Sequence, residues 1–152
     1  GLNVDLKTTS VAQPQSSCSF RDASQKVYGL GYHLIILTYT KTDDDTLRAA
    51  RLVFQQAVFV ERERTADFQT TGGILKILDG AGNEDDIDAF LEERMLPVDE
   101  IGRRGLAQRI IASPPKQGYL TISNALQWRL QYGRVNELAA HGKTEGIESL
   151  LV

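Results

Sequence analysis

Apolar and strand-forming positions are densest between Val27 and Thr42. Val27, Tyr28, Tyr32, Ile35, Ile36, Thr38, Tyr39 and Thr40 predict a strand over 27–42. The unbroken run Leu34-Ile35-Ile36-Leu37 implies burial on both faces. Gly29 and Gly31 imply a bulge or a close approach of another stretch of backbone. Upstream, residues 1–26 are rich in Ser, Thr and Gln. Val4, Leu6 and Val11 suggest an edge strand there, and the rest reads as loop.

After this strand the period changes. Leu47, Ala50, Phe54, Ala57, Val58 and Glu61 recur at helical spacing, which predicts a helix from about Thr46 to Arg64. Asp43, Asp44 and Asp45 would sit at its positive end. The stretch Val58–Arg64 also reads as a strand. Gly72-Gly73 looks like punctuation, followed by a short strand Ile74–Leu78, so that 27–78 has the outline of a β-α-β unit.

The next helix starts at Asn83, an N-cap followed by Glu84, Asp85 and Asp86, with Ile87, Phe90, Leu91 and Met95 as its stripe. Pro97 ends it. A further helix is expected over about Val98–Ala112, then a loop over Ser113–Gly118 and a short strand over Tyr119–Ser123. From 126 the patterns conflict. Leu126, Trp128, Leu130 and Tyr132 alternate as in a strand, while Ala125, Trp128, Tyr132, Val135 and Ala139 fit a helical stripe. The helix is preferred because Ser123 can cap its start and Gly142 can end it.

Together these elements predict one α+β domain over residues 1–152, or a small α/β layer: a mixed sheet of about three to five strands on three or four helices. The 152 residues, 41% hydrophobic and 24% charged, suit a globular domain with its own core. No apolar run reaches the roughly 18–20 residues of a membrane helix, so membrane insertion is not expected. The chain begins at Gly1, which leaves a cytoplasmic chain and an exported chain without its signal both open.

The candidate chemistry is sparse. Cys18 is the single cysteine, so no internal disulfide can form, and no base or cation adjoins it in sequence. His33 and His141 stand apart, without zinc-ligand spacing, and no G-x-S-x-G selects a serine. The loop Asp79–Asp86 is dense in oxygen, and Asp79, Asn83 and Asp85 are its weak metal candidates. Ala81 and Glu84 nevertheless break the calcium-loop pattern. Gly80 and Gly82 lack the third glycine of a dinucleotide turn, since position 85 is Asp. No catalytic residue and no cofactor are expected.

Charge layout changes the picture most. The net charge of −3 is distributed as +1 over residues 1–40, −8 over 41–100 and +4 over 101–152. Between Ile101 and Asn136 there are six basic residues and no acidic one: Arg103, Arg104, Arg109, Lys116, Arg129 and Arg134. The acidic 84–100 and basic 101–136 stretches could lie against each other, within one molecule or between molecules. The leading expectation is therefore a non-enzymatic protein-interaction or assembly module, with a protein partner or self-association. The alternative is a nucleic-acid-binding module using the six basic residues with Tyr119, Trp128 and Tyr132. A divalent-cation-dependent enzyme using acidic residues around 79–88 is the second alternative.

Overall fold

A computed structural model describes residues 3–19, 22–46, 48–124 and 127–151. The fold is α+β, with two sheets and a helical layer. The first sheet has the order β1-β3-β4-β7, formed by Val4–Ser10, His33–Asp44, Ala49–Val60 and Ile147–Ser149. It is mixed: β1 runs parallel to β3, while β3–β4 and β4–β7 are antiparallel. The second sheet has the order β2-β6-β5, formed by Gln15–Ser19, Gln127–Gln131 and Thr121–Ile122, and is antiparallel. The helices are α1 (Gln25–Tyr28), α2 (Phe68–Asp79), α3 (Glu84–Glu93), α4 (Glu100–Ala112) and α5 (Gly133–His141), with a 3-10 turn at Arg62–Thr65.

The predicted strand over 27–42 starts later and runs further. Val27 and Tyr28 end the short helix α1, and Gly29 turns the chain with φ of +98°. A Cβ at Gly29 would collide with the backbone carbonyl of Arg62, so the anticipated close approach is real and comes from the 3-10 turn. The N-terminal edge strand is present as β1. The polar stretch after it is not all loop, since it contains β2 and leads into α1.

The helix expected over Thr46–Arg64 is instead β4. Leu47 of that stripe lies outside the described residues. Of the Asp43–Asp45 cluster, Asp43 and Asp44 end β3 and Asp45 lies in the turn that follows, where the Asp44 carboxylate accepts from Thr46 N–H at 3.0 Å. A dense run such as Leu52-Val53-Phe54 satisfies both periods, and eleven register pairs with β3 decide for the strand. Past a register shift at Thr38/Tyr39 this hairpin leaves the core, and residues 49–55 are all exposed.

The strand expected at Ile74–Leu78 is part of α2, so the β-α-β outline does not hold. Its start signal is Asp67, an N-cap that accepts from Thr70 N–H. Gly73 lies inside this helix, where a Cβ would strike the Phe90 ring; its absence lets α2 and α3 pack closely. The expected α3 has its Asn83 cap, as a full capping box with Asp86. In α4 Asp99 accepts from Gly102 N–H at 2.7 Å. The preferred helix over 126–132 is not formed. Trp128, Leu130 and Tyr132 alternate inward from β6 and its end, and the helix begins only at Gly133. Ala125 and Leu126 lie outside the described residues.

Two apolar cores result. One lies between the sheets and holds Leu34, Ile36, Val58, Trp128, Leu130 and Tyr132. The other joins Val27, Ile74, Ile87, Leu91, Leu106 and Ile110 of the helical layer. Asp67, only 2% exposed, stands at their junction. Its carboxylate accepts from Thr70 N–H at 3.0 Å, Thr70 Oγ1 at 2.6 Å and Ile122 N–H at 2.9 Å, and it pairs with Arg94 at 3.5 Å. Its own N–H donates to the Lys26 carbonyl at 2.9 Å.

Buried charge of this kind is destabilising when left without partners. Asp67→Ala therefore leaves Arg94, the α2 N-terminus and the Ile122 amide uncompensated. It is expected to lower unfolding free energy by about 3–5 kcal/mol in urea titration. A loss below about 1 kcal/mol would show that the junction does not depend on this carboxylate.

Candidate functional site

β1 is an edge strand, and its side chains alternate in an unusual sense. Val4 and Leu6 point outward, 39% and 58% exposed, while Asp5, Lys7 and Thr9 share the face turned to the core. Their register partners on β3 are Leu34, Ile36 and Thr38, all buried. Asp5 and Lys7 lie two residues apart on one side of the strand. Their carboxylate and ammonium groups are 2.9 Å apart, with side chains 43% and 25% exposed. The pair is therefore rooted beside the core and open to solvent at its tip.

Tyr132 follows β6 directly. It is fully buried, and its hydroxyl hydrogen-bonds with Ser16 of β2. Burial pushes the Tyr132 hydroxyl up to about 12, against the Ser16 bond and with added repulsion from Tyr32 and Asp5. Sequence reasoning missed Asp5 and Lys7. The available signal was the alternation Val4-Asp5-Leu6-Lys7, two like-facing charges inside a strand pattern.

The six basic residues of 101–136 divide by environment. Arg103 donates to Asp88 at 3.0 Å and lies 3.9 Å from Glu92. Arg104 meets Asp85 at 2.7 Å, Glu84 at 3.4 Å and Asp88 at 3.5 Å. The hydrogen bonds to Asp88 and Asp85 hold these two guanidinium groups above their usual range, against partial desolvation. Lys116 pairs with Glu61 at 3.7 Å. Arg109 lies 4.0 Å from the Tyr28 ring centre and Arg134 lies 3.6 Å from that of Phe68. Phe68 in turn stacks on Tyr119 at 6.3 Å, whose other neighbour is Arg64 at 5.8 Å. Arg129 is exposed. Of the aromatics considered beside these cations, Trp128 and Tyr132 are core residues and Tyr119 is half-buried.

The acidic loop is occupied by structural tasks. Asn83 and Asp86 cap α3, and Asp85 holds Arg104. Among the described residues no three His, Cys, Asp or Glu side chains group as a metal-holding set. His33 accepts from Arg62 N–H at 2.9 Å and stacks on Phe59, while His141 ends α5. Among the described residues no helix is long and apolar enough to cross a membrane.

The class is an α+β domain with a paired carboxylate and ammonium on an edge strand and arginines set over aromatic rings elsewhere on its surface. Residues 1–149 match the family described as Type II restriction enzyme NspV, and the chain belongs to that family. A relative named Type II restriction enzyme NspV, from Nostoc sp. (strain ATCC 29411 / PCC 7524), is 56% identical over 147 residues. The match covers 97% of this chain and 66% of the relative, so the chain spans just under two thirds of that protein's length. No solved structure matches.

Family membership overturns the leading expectation of a non-enzymatic interaction or assembly module, because both the family and the relative are named for an enzyme. The reason for preferring a protein partner falls with it. The acidic and basic stretches meet within one molecule, where α3 carboxylates hold Arg103 and Arg104 of α4.

The raised Tyr132 hydroxyl has a signed consequence. An unfolded tyrosine ionises near pH 10 and the folded one near 12, so stability is complete below pH 10 and falls as pH rises toward 12. The loss amounts to about 2–3 kcal/mol for this group. Tyr132→Phe should therefore lose less stability than the parent between pH 10 and 12 in thermal melts. Parallel decline of both proteins would contradict the assignment.

Proposed function

We propose that this chain is part of a DNA endonuclease and that Asp5 and Lys7 are its catalytic groups. The observation that carries this reading is the 2.9 Å carboxylate–ammonium pair on one face of an open edge strand. Hydrolysis of a phosphodiester needs water aimed at phosphorus and positive charge where negative charge grows on the phosphoryl oxygens. Lys7 supplies that charge from a strand position fixed by pairing with β3. Asp5, alongside it, orients the attacking water by accepting its hydrogen bond.

Asp5 also offers an oxygen to a hard cation, whose chemistry would be to lower the pKa of a bound water. A magnesium site needs several oxygen ligands, and among the described residues Asp5 belongs to no group of three or more His, Cys, Asp or Glu side chains that could hold one. The nucleic-acid alternative from the basic segment fits this reading, with DNA as partner. A DNA substrate favours the cytoplasmic alternative over the exported one.

The test is cleavage of supercoiled plasmid with magnesium present. Asp5→Asn and Lys7→Met should each slow cleavage by about 10²–10⁴-fold. Duplex binding and far-UV circular dichroism should stay close to those of the parent. Parental cleavage rates in either variant would overturn the assignment of these two residues.

A further inference from the structure

The basic segment contains arginines of two physical kinds. Arg103 and Arg104 point their N–H groups at α3 carboxylates. Arg109 and Arg134 instead hold the guanidinium carbon over a ring, 4.0 Å from the centre of Tyr28 and 3.6 Å from that of Phe68. A cation over a ring is held by the ring's negative face and not by a carboxylate, so its charge is not cancelled by an opposite one. Among the described residues no carboxylate lies within 4.0 Å of either group. Both side chains are exposed.

We infer that Arg109 and Arg134 are clamps for backbone phosphates of duplex DNA. The inference rests on the DNA-cleaving reading above. A stacked guanidinium retains its full charge and its fork of donors, which matches two phosphate oxygens. Its long side chain is already restrained by the ring, so less freedom is lost on contact. Arg129 is exposed too, but no ring holds it among the described residues.

Position favours phosphate over base edges. Base reading requires side chains that extend into a groove, and a guanidinium held over a ring of its own surface extends less far. Helix α4 is bound to α3, and α5 packs on β4 and β7. Phe68 itself carries two loads, since it also stacks on Tyr119. The rings therefore act as props for the arginines and not as stacking surfaces for bases.

The experiment is fluorescence anisotropy with duplexes of different sequence, across about 50–200 mM salt. The parent should bind with a steep salt dependence. Arg109→Gln and Arg134→Gln should each weaken binding to every duplex alike and reduce the logarithmic salt slope by about 1. Phe68→Leu, with its melting temperature checked, should weaken binding and keep the slope. Arg104→Gln should leave the slope unchanged. If the parent binds and the Arg109 and Arg134 variants match it in slope and affinity, the clamp is wrong. Selective loss of discrimination at one base pair would also overturn it, in favour of base reading. If the parent binds no duplex even at about 50 mM salt, the DNA reading itself fails.

Discussion

The packing of this fold turns on one buried carboxylate. Asp67 caps α2, holds the β5 amide of Ile122 and faces Arg94 beyond the end of α3. Its backbone receives α1 through Lys26. Lys26 is itself buried, bonded to the Ile122 carbonyl and to Asn124, with its ammonium 5.5 Å from the Trp128 ring centre. Desolvation lowers the pKa of this lysine, while the charge of Asp67 opposes the shift. Apolar contact alone would let the sheet core and the helical core slide against each other. Directional bonds at this junction fix their relation.

That fixed relation is what sets the sheet edge. Because α1 is tied to Asp67 and the loop after it to Thr65 through the Leu30 N–H, β3 enters the sheet at a defined place, and β1 pairs along it in parallel. The face of β1 turned to the core then carries Asp5 and Lys7 at the rim, with Thr9 deeper. Inward charges on an edge strand also discourage pairing with other sheets. Both consequences follow from one arrangement. Only the catalytic role proposed for them requires that Asp5 and Lys7 themselves, and not any other charged pair, occupy these positions.

Local capping was legible at two helix ends, failed at Ser123 and at Asp43–Asp45, and long-range pairing was not legible. Asn83, with acidic residues behind it, announced α3, and Gly142 announced the end of α5, because these signals act within a few residues. The segment Ala49–Val60 misled because its apolar run fits a helix as well as a strand, and only β3 breaks the tie. Ile74–Leu78 misled because Gly72-Gly73 resembles a break, whereas Gly73 accommodates Phe90. In 126–132 the strand alternation was present, but the helical stripe borrowed Val135 and Ala139 from the real helix that follows. Asp5 and Lys7 were passed over for the same reason: an alternating strand has two faces, and sequence does not say which one meets the core.

Charge asymmetry along a chain has a similar ambiguity, and the structure shows how it resolves. A basic stretch following an acidic one describes order in sequence, not exposure. Helices α3 and α4 fold back on each other, so the nearest part of the basic stretch neutralises the acidic one. What remains outward is decided residue by residue: by a carboxylate for Lys116, and by a ring for Arg109 and Arg134. A guanidinium on a ring leaves its charge uncancelled, whereas the charge of one between carboxylates is offset locally. The electrostatic field offered to an anion therefore comes from fewer groups than the sequence displays, but from groups already held in place.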